Sequence, residues 1–147
     1  RGDPARGLRP RPVIVDAGLL YANIDRDDRH HPAAREFIAT FDGLLHVPML
    51  VVTEVAHLTA TRLGAPAEAR FLADLAAGEV IAEPVHPADW ERMAELVARY
   101  RDLPLGTVDA SLVALAERLG ETEVATFDRR DLGVVRPRHC EGFTLLP

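Results

Sequence analysis

The chain contains no lysine, so all 17 of its basic residues are arginines. Arginine suits two-point contacts with phosphate. An arginine-only composition also arises from codon bias, so the feature permits a nucleic-acid partner without arguing for one. Cysteine occurs once, at Cys140, which excludes an internal disulfide and makes a reducing cytoplasm the expected compartment. No apolar run approaches the roughly 20 residues needed to cross a bilayer, and no signal-peptide pattern is read at the start. Neither a Walker loop nor a G-x-G-x-x-G fingerprint occurs, so nucleotide cofactors are not indicated.

What is present suffices for a core. At 147 residues, 48% of them hydrophobic, one domain is expected, burying about two-thirds of the surface its unfolded chain would expose. The net charge of −6 argues against a nucleic-acid partner, unless metal neutralises several of the acids.

Residues 1–11 are rich in Arg, Gly and Pro without periodicity, and read as a flexible leader or expression remnant outside a domain spanning 12–147. Strand-like runs follow at 12–15, 44–47, 80–82 and 124–127, with an edge strand at 143–146. Helical patterns stand between them. Asp16 turns the chain into a short helix, and Pro32 sits near the start of the next. A helix from about Met49 to Arg62 stops at Gly64, Pro66 opens one ending near Gly78, and Pro87 starts another. Thr107 is expected to cap a helix over Val108–Leu119, which Gly120 ends. Strands alternating with helices predict an α/β fold, a three-layer α/β/α domain with a mainly parallel central sheet.

Four carboxylates fall at matching places in that pattern. Asp16 and Asp128 follow strand-like runs, whereas Glu54 and Asp109 lie in the early turns of helices. In an open α/β sheet these positions share the edge where ligands bind. Gathered negative charges repel, and a hard divalent cation with oxygen ligands is the simplest counter-charge. Each acid also has an ordinary reading. Glu54 lies three or four positions from Leu50, Val51 and Leu58, so it either faces the core or sits half-exposed at the stripe's edge. Asp109 lies over the buried side of its helix, but an acid in a first turn also suits the macrodipole. Asp16 and Asp128 occupy positions where acids serve as turn or cap residues. The coincidence of four is the signal.

Other polar residues carry less. Asp131 is a substitute ligand or a loop acid, and the Thr126 hydroxyl either holds a metal-bound water or fills a strand. His30, His31, His46, His86 and His139 are scattered and read as caps or surface decoration. Glu54-x-x-His57 and Glu83-x-x-His86 superficially match a di-iron pattern. Pro84 interrupts the second motif, and a strand precedes it.

The segments VIVDAGLL, VPMLVVTEVAHL, DLPLGTVDASLVALAERLG and VATFDRRDL resemble, in order and spacing, the motifs of PIN-domain ribonucleases. The nearest likeness is to the VapC-like toxins of toxin–antitoxin pairs, from about Val13 to the C-terminus. The resemblance implies an endoribonuclease whose acidic pocket, at Asp16, Glu54, Asp109 and Asp128, binds Mg2+ or Mn2+. It further implies RNA as substrate, a homodimer, products with 5′-phosphate and 3′-hydroxyl ends, and a small antitoxin whose C-terminal segment enters the site. Metal ions can lower the pKa of a bound water and stabilise a leaving oxygen, so no histidine base is required. Arg129, Arg130, Arg136 and Arg138 either hold the RNA backbone or form a solvated loop. One position departs from the family: Gly18 stands where it usually carries Ser, Thr or Asn, so the missing hydrogen bond is absent or supplied by Asn23 or Thr107.

Two other classes share parts of this pattern. A phosphorylatable receiver domain shares the architecture but relies on a lysine, and this chain has none. A non-catalytic PIN-like module that only binds RNA or a partner typically lacks one or more of the acids, and all four are here.

Overall fold

Five short strands and seven helices follow one another along residues 10–147, the span described by the computed structural model. In chain order they are β1 (Arg11–Val15), α1 (Ala17–Ile24), α2 (His31–Thr40), β2 (Gly43–Pro48), α3 (Met49–Leu63) and α4 (Ala65–Ala76). Then come β3 (Ile81–Glu83), α5 (Pro87–Arg99), α6 (Thr107–Leu119), β4 (Glu123–Ala125), α7 (Arg129–Val134) and β5 (Thr144–Leu146). Most of the leader expected over residues 1–11 lies outside the described residues, but Arg11 does not. It opens β1 in register with Gly43. The pairing is close: a Cβ on Gly43 would come 1.8 Å from the Arg11 carbonyl oxygen, so only glycine fits there.

All strand pairs are parallel, in the order β3-β2-β1-β4-β5. The chain lays strands outward on one side of β1, then returns to build the other side. Between β1 and β4 the winding therefore reverses, and such a switch point opens a crevice at the carboxyl ends of the strands. Asp16 and Asp128 follow the two strands that flank it.

Alternation along β1 separates two cores. Val13 and Val15 pack with Leu19, Val51, Val55 and Phe71 from α1, α3 and α4. Ile14 packs on the opposite side with Met93, Leu96, Leu112 and Leu132 from α5 to α7. The expected three layers follow, with every strand parallel. From Ala110 to Ala116 every residue of α6 is buried, so the middle of this helix is central to its layer, with Asp109 and Glu117 on either side of it. It ends at Gly120, whose left-handed backbone (φ 70°) closes the last turn.

Three local expectations are corrected. Gly106, not Thr107, caps α6, and Thr107 is its first helical residue. The fourth strand stops at Ala125, because Thr126 and Phe127 leave the sheet toward α7. That helix was not anticipated. Among the described residues no helix is long and apolar enough to cross a membrane.

Candidate active site

Asp16 caps α1 directly after β1. Its Oδ1 accepts the Leu19 N–H at 2.9 Å, and its Oδ2 accepts the hydroxyl of Thr126. Only 7% of the residue is exposed. Burial pushes its carboxyl above the usual range against the pull of both hydrogen bonds, and the charges of Asp128 and Glu54 add to the rise.

Thr126 also accepts the Asp128 N–H on the same hydroxyl oxygen, at 2.8 Å. Asp128 then caps α7 by accepting the Asp131 N–H at 3.2 Å. Thr126 therefore links the first and last acids of the group through its own side chain, a role different from the water-holding one expected. Neither Asn23 nor Thr107 bonds Asp16 among the described residues.

Asp109 lies in the first turn of α6, half-buried. Burial first, and then the charges of Asp16, Asp128, Asp131 and Glu54, push it up to about 6. The five acids thus lie within electrostatic reach of one another. Asp128 is exposed and Asp131 half-buried.

Glu54 departs from the inward reading. The buried face of α3 is Val51, Val52, Val55 and Thr59, and Glu54 is exposed between half-buried Leu50 and Leu58. The core-facing stripe runs one position beside the one inferred, so Glu54 reaches the acidic edge from its rim. Nor do the four acids close on a common point. Among the described residues, no three His, Cys, Asp or Glu side chains form a ready ligand group for a metal ion. Like charges repel, both Asp16 oxygens are held by their own donors, and Glu54 points outward.

The donor chemistry still fits a hard divalent cation. Every group at this edge offers carboxylate or hydroxyl oxygen. Burial first, and then the charges of neighbouring acids, raise Asp16 and Asp109, and a cation would offset the second of these.

The remaining side chains are mostly structural. Arg129 donates to the Pro147 carbonyl, Arg136 to the Glu141 carbonyl, and Arg138 pairs with Glu95, while Arg130 is exposed. His46 pairs with Glu83 at 2.8 Å, and the His86 N–H donates to Asp89 at the start of α5. The Glu-x-x-His likeness therefore ends in an ion pair and a helix cap.

A PIN-domain family profile matches residues 13–135. Over 135 residues the chain is 35% identical to Ribonuclease VapC26 of Mycobacterium tuberculosis strain H37Rv, covering 92% of this chain and 100% of that protein. The fold matches that of Mycobacterium tuberculosis VapC20, described as a Sarcin-Ricin loop cleaving toxin. The TM-score there is 0.74 at 23% identity, over 79% of this chain and 89% of the other. VapBC2 from Rickettsia felis, solved with a DNA fragment from its promoter, gives a TM-score of 0.65 at 10% identity, covering 92% and 97% of the two chains. FitAcB from Neisseria gonorrhoeae gives 0.60 at 12% identity, covering 92% and 96%. The chain belongs to the PIN-domain family and is a VapC-like ribonuclease.

Proposed function

We propose that this ribonuclease is a toxin that cuts RNA phosphodiester bonds at the acidic edge between β1 and β4, with Mg2+ or Mn2+ held there by Asp16, Asp109, Asp128 and Glu54. The observation that carries the reading is the placement of Asp16 and Asp128 after the two strands that flank the switch point, tied together through Thr126, with Asp109 in the first turn of α6. A bound divalent ion supplies an acidified water and a counter-charge for the leaving oxygen. The chain's own residues do the positioning. Asp16 is fixed by Thr126 and Leu19, so its oxygens present one geometry. Asp128 is fixed by its cap on α7. Asp109 is set by the first turn of α6. Glu54 stands exposed on α3 at the rim of this edge.

The likeness to VapC proteins supports an antitoxin that covers this edge in the resting complex, a homodimeric toxin, and action in the cytoplasm where RNA is abundant.

The test uses the full chain, labelled single-stranded RNA and Mn2+. Asp16→Asn and Asp109→Asn are each expected to lower cleavage at least about a hundredfold while the protein still unfolds cooperatively. Undiminished cutting by either variant, or by the parent in excess chelator, would falsify the assignment.

A further inference from the structure

Beside the acidic edge, the imidazole of His30 lies flat against the ring of Phe127, with centroids 4.3 Å apart and planes 11° from parallel. Phe127 stands between Thr126, which holds Asp16, and Asp128, which caps α7. Its ring is therefore one residue from two anchored members of the site. His30 is anchored as firmly from the loop before α2. Its N–H donates to Asp28 at 2.8 Å, and its carbonyl accepts the Ala34 N–H at 2.9 Å. Its ring Nε2 accepts from the Arg29 guanidinium at 3.2 Å. His30 and Phe127 are each half-buried, Phe127 also packing against the core that holds Val13 and Val15, and Arg29 is exposed.

A flat ring pair with a guanidinium at its edge is the arrangement an unpaired base meets in single-strand sites, where stacking supplies affinity and a cation steadies the phosphate. We infer that the His30–Phe127 pair, extended by Arg29, is a platform on which a nucleobase beside the cut phosphate stacks. His30 is then a substrate-binding residue that selects unpaired RNA. A base inside a helix already has neighbours on both faces and cannot take the place. Stacking tolerates every base, so the platform sets strandedness rather than sequence. The inference deepens the RNA-cutting reading above and rests on it.

The experiment measures binding without cleavage. The Asp109→Asn protein in chelator is titrated into a short labelled single-stranded RNA of random sequence, and into a duplex control. Adding His30→Ala is expected to raise Kd for the single strand roughly tenfold to a hundredfold, as the loss of one base stack would. His30→Tyr keeps a flat ring and should restore binding close to the parent's. Phe127→Leu keeps apolar volume without the stack, and should weaken binding in the same direction as the alanine. Duplex binding should not respond to any of them. Thermal unfolding of each variant separates loss of fold from loss of contact, and the tyrosine rescue remains readable if the alanine variant melts early. Single-strand binding unchanged by His30→Ala would overturn the inference. So would a tyrosine variant as weak as the alanine one, or a parent that does not bind single strands. Failure of the metal reading shows instead as RNA cutting by the Asp109→Asn protein when Mn2+ is restored.

Discussion

The Thr126 hydroxyl donates to the buried Asp16 carboxylate across 110 positions of sequence, and its oxygen accepts the Asp128 N–H in turn. This links the end of β1 to the segment after β4 at the point where the sheet reverses its winding. Thr126→Val keeps the shape and removes donor and acceptor together. A buried Asp16 oxygen and the Asp128 N–H each lose a partner, which costs about 1–3 kcal/mol in urea unfolding. The Thr126 bond also holds the Asp16 pKa down. Without it the pKa rises further, and the acid limb of the pH–rate profile moves to higher pH. Thr126→Ser keeps both bonds and should restore both readouts. A valine variant with an unmoved acid limb would remove Thr126 from the site.

Stability without added metal should fall as pH rises through the mildly acidic range. Asp109 keeps its proton in the folded chain up to about 6, whereas its ordinary value is 3.8. Between those values the folded state binds the proton and the unfolded state has lost it, so stability declines with rising pH across the window and levels off above it. Asp16, also raised, adds in the same direction. In chelator, the parent should therefore melt higher at pH 5 than at pH 7.5 through these groups. Asp109→Asn should flatten that slope and raise the melting temperature at pH 7.5. Mn2+ should stabilise the parent more at the higher pH, where protons no longer compete for the carboxylates. A parent slope identical to that of the asparagine variant would remove Asp109's raised pKa from the account.

How much of this was legible in the sequence varied with how local the cause is. Asp16, Asp109 and Asp128 stand beside runs whose periodicity and caps are written within a few residues, whereas the strand order that makes a switch point between β1 and β4 is set by distant pairings. Glu54 stays undecided in the sequence, because Leu50, Val51 and Leu58 suit a shared buried face as readily as a stripe with Glu54 at its edge. The actual buried stripe of Val51, Val52, Val55 and Thr59 lies a fraction of a turn away, and both stripes are apolar enough to fit. What Thr126 and His30 touch is hidden in the sequence for another reason. Their partners are distant in sequence, so neither contact exists until the sheet order and the loop before α2 are set. In Thr126 the only available signal was its place two residues before Asp128. His30 offered none, standing beside His31 in a polar loop.

Gly18 should tolerate a side chain. It is the second residue of α1, and the nearest atom to an added Cβ is Asp16 Oδ1 at 3.9 Å. Replacing glycine within a helix by alanine is worth up to about 1 kcal/mol, less near the first turn. Gly18→Ala should thus raise the melting temperature without touching activity. Gly18→Ser should add a hydroxyl close to Asp16, alongside the bond from Thr126, and RNA cleavage should equal or exceed the parent's. Its clearest effect is expected in the Thr126→Val background, where the serine should recover part of the lost activity. No recovery there would mean that the hydroxyl does not reach Asp16.

The Arg92–Glu117 pair should matter for stability and not for cleavage. Arg92 holds both Glu117 oxygens, at 2.7 and 2.9 Å, with each side chain only 11% exposed. Burial alone would push Glu117 up, but the bonds from Arg92 and the Arg138 N–H bring it below the ordinary carboxylate value. A depressed acid contributes stability above its unfolded pKa and loses it as pH falls through the folded one. Arg92→Ala strips the main partner from a largely buried charge, which costs about 2–4 kcal/mol at neutral pH. The deficit should shrink as the solution is acidified toward pH 4, where Glu117 in the variant becomes protonated. Glu117 lies eight positions along α6 from Asp109, about 12 Å at the helical rise, so kcat should hold at temperatures where the variant is folded. Urea unfolding from pH 4 to pH 7.5, with a double-mutant cycle through Glu117→Gln, measures the coupling. A coupling near zero would mean that α5 and α6 are held together by their apolar contacts and the Arg118–Asp89 pair, without help from Arg92 and Glu117.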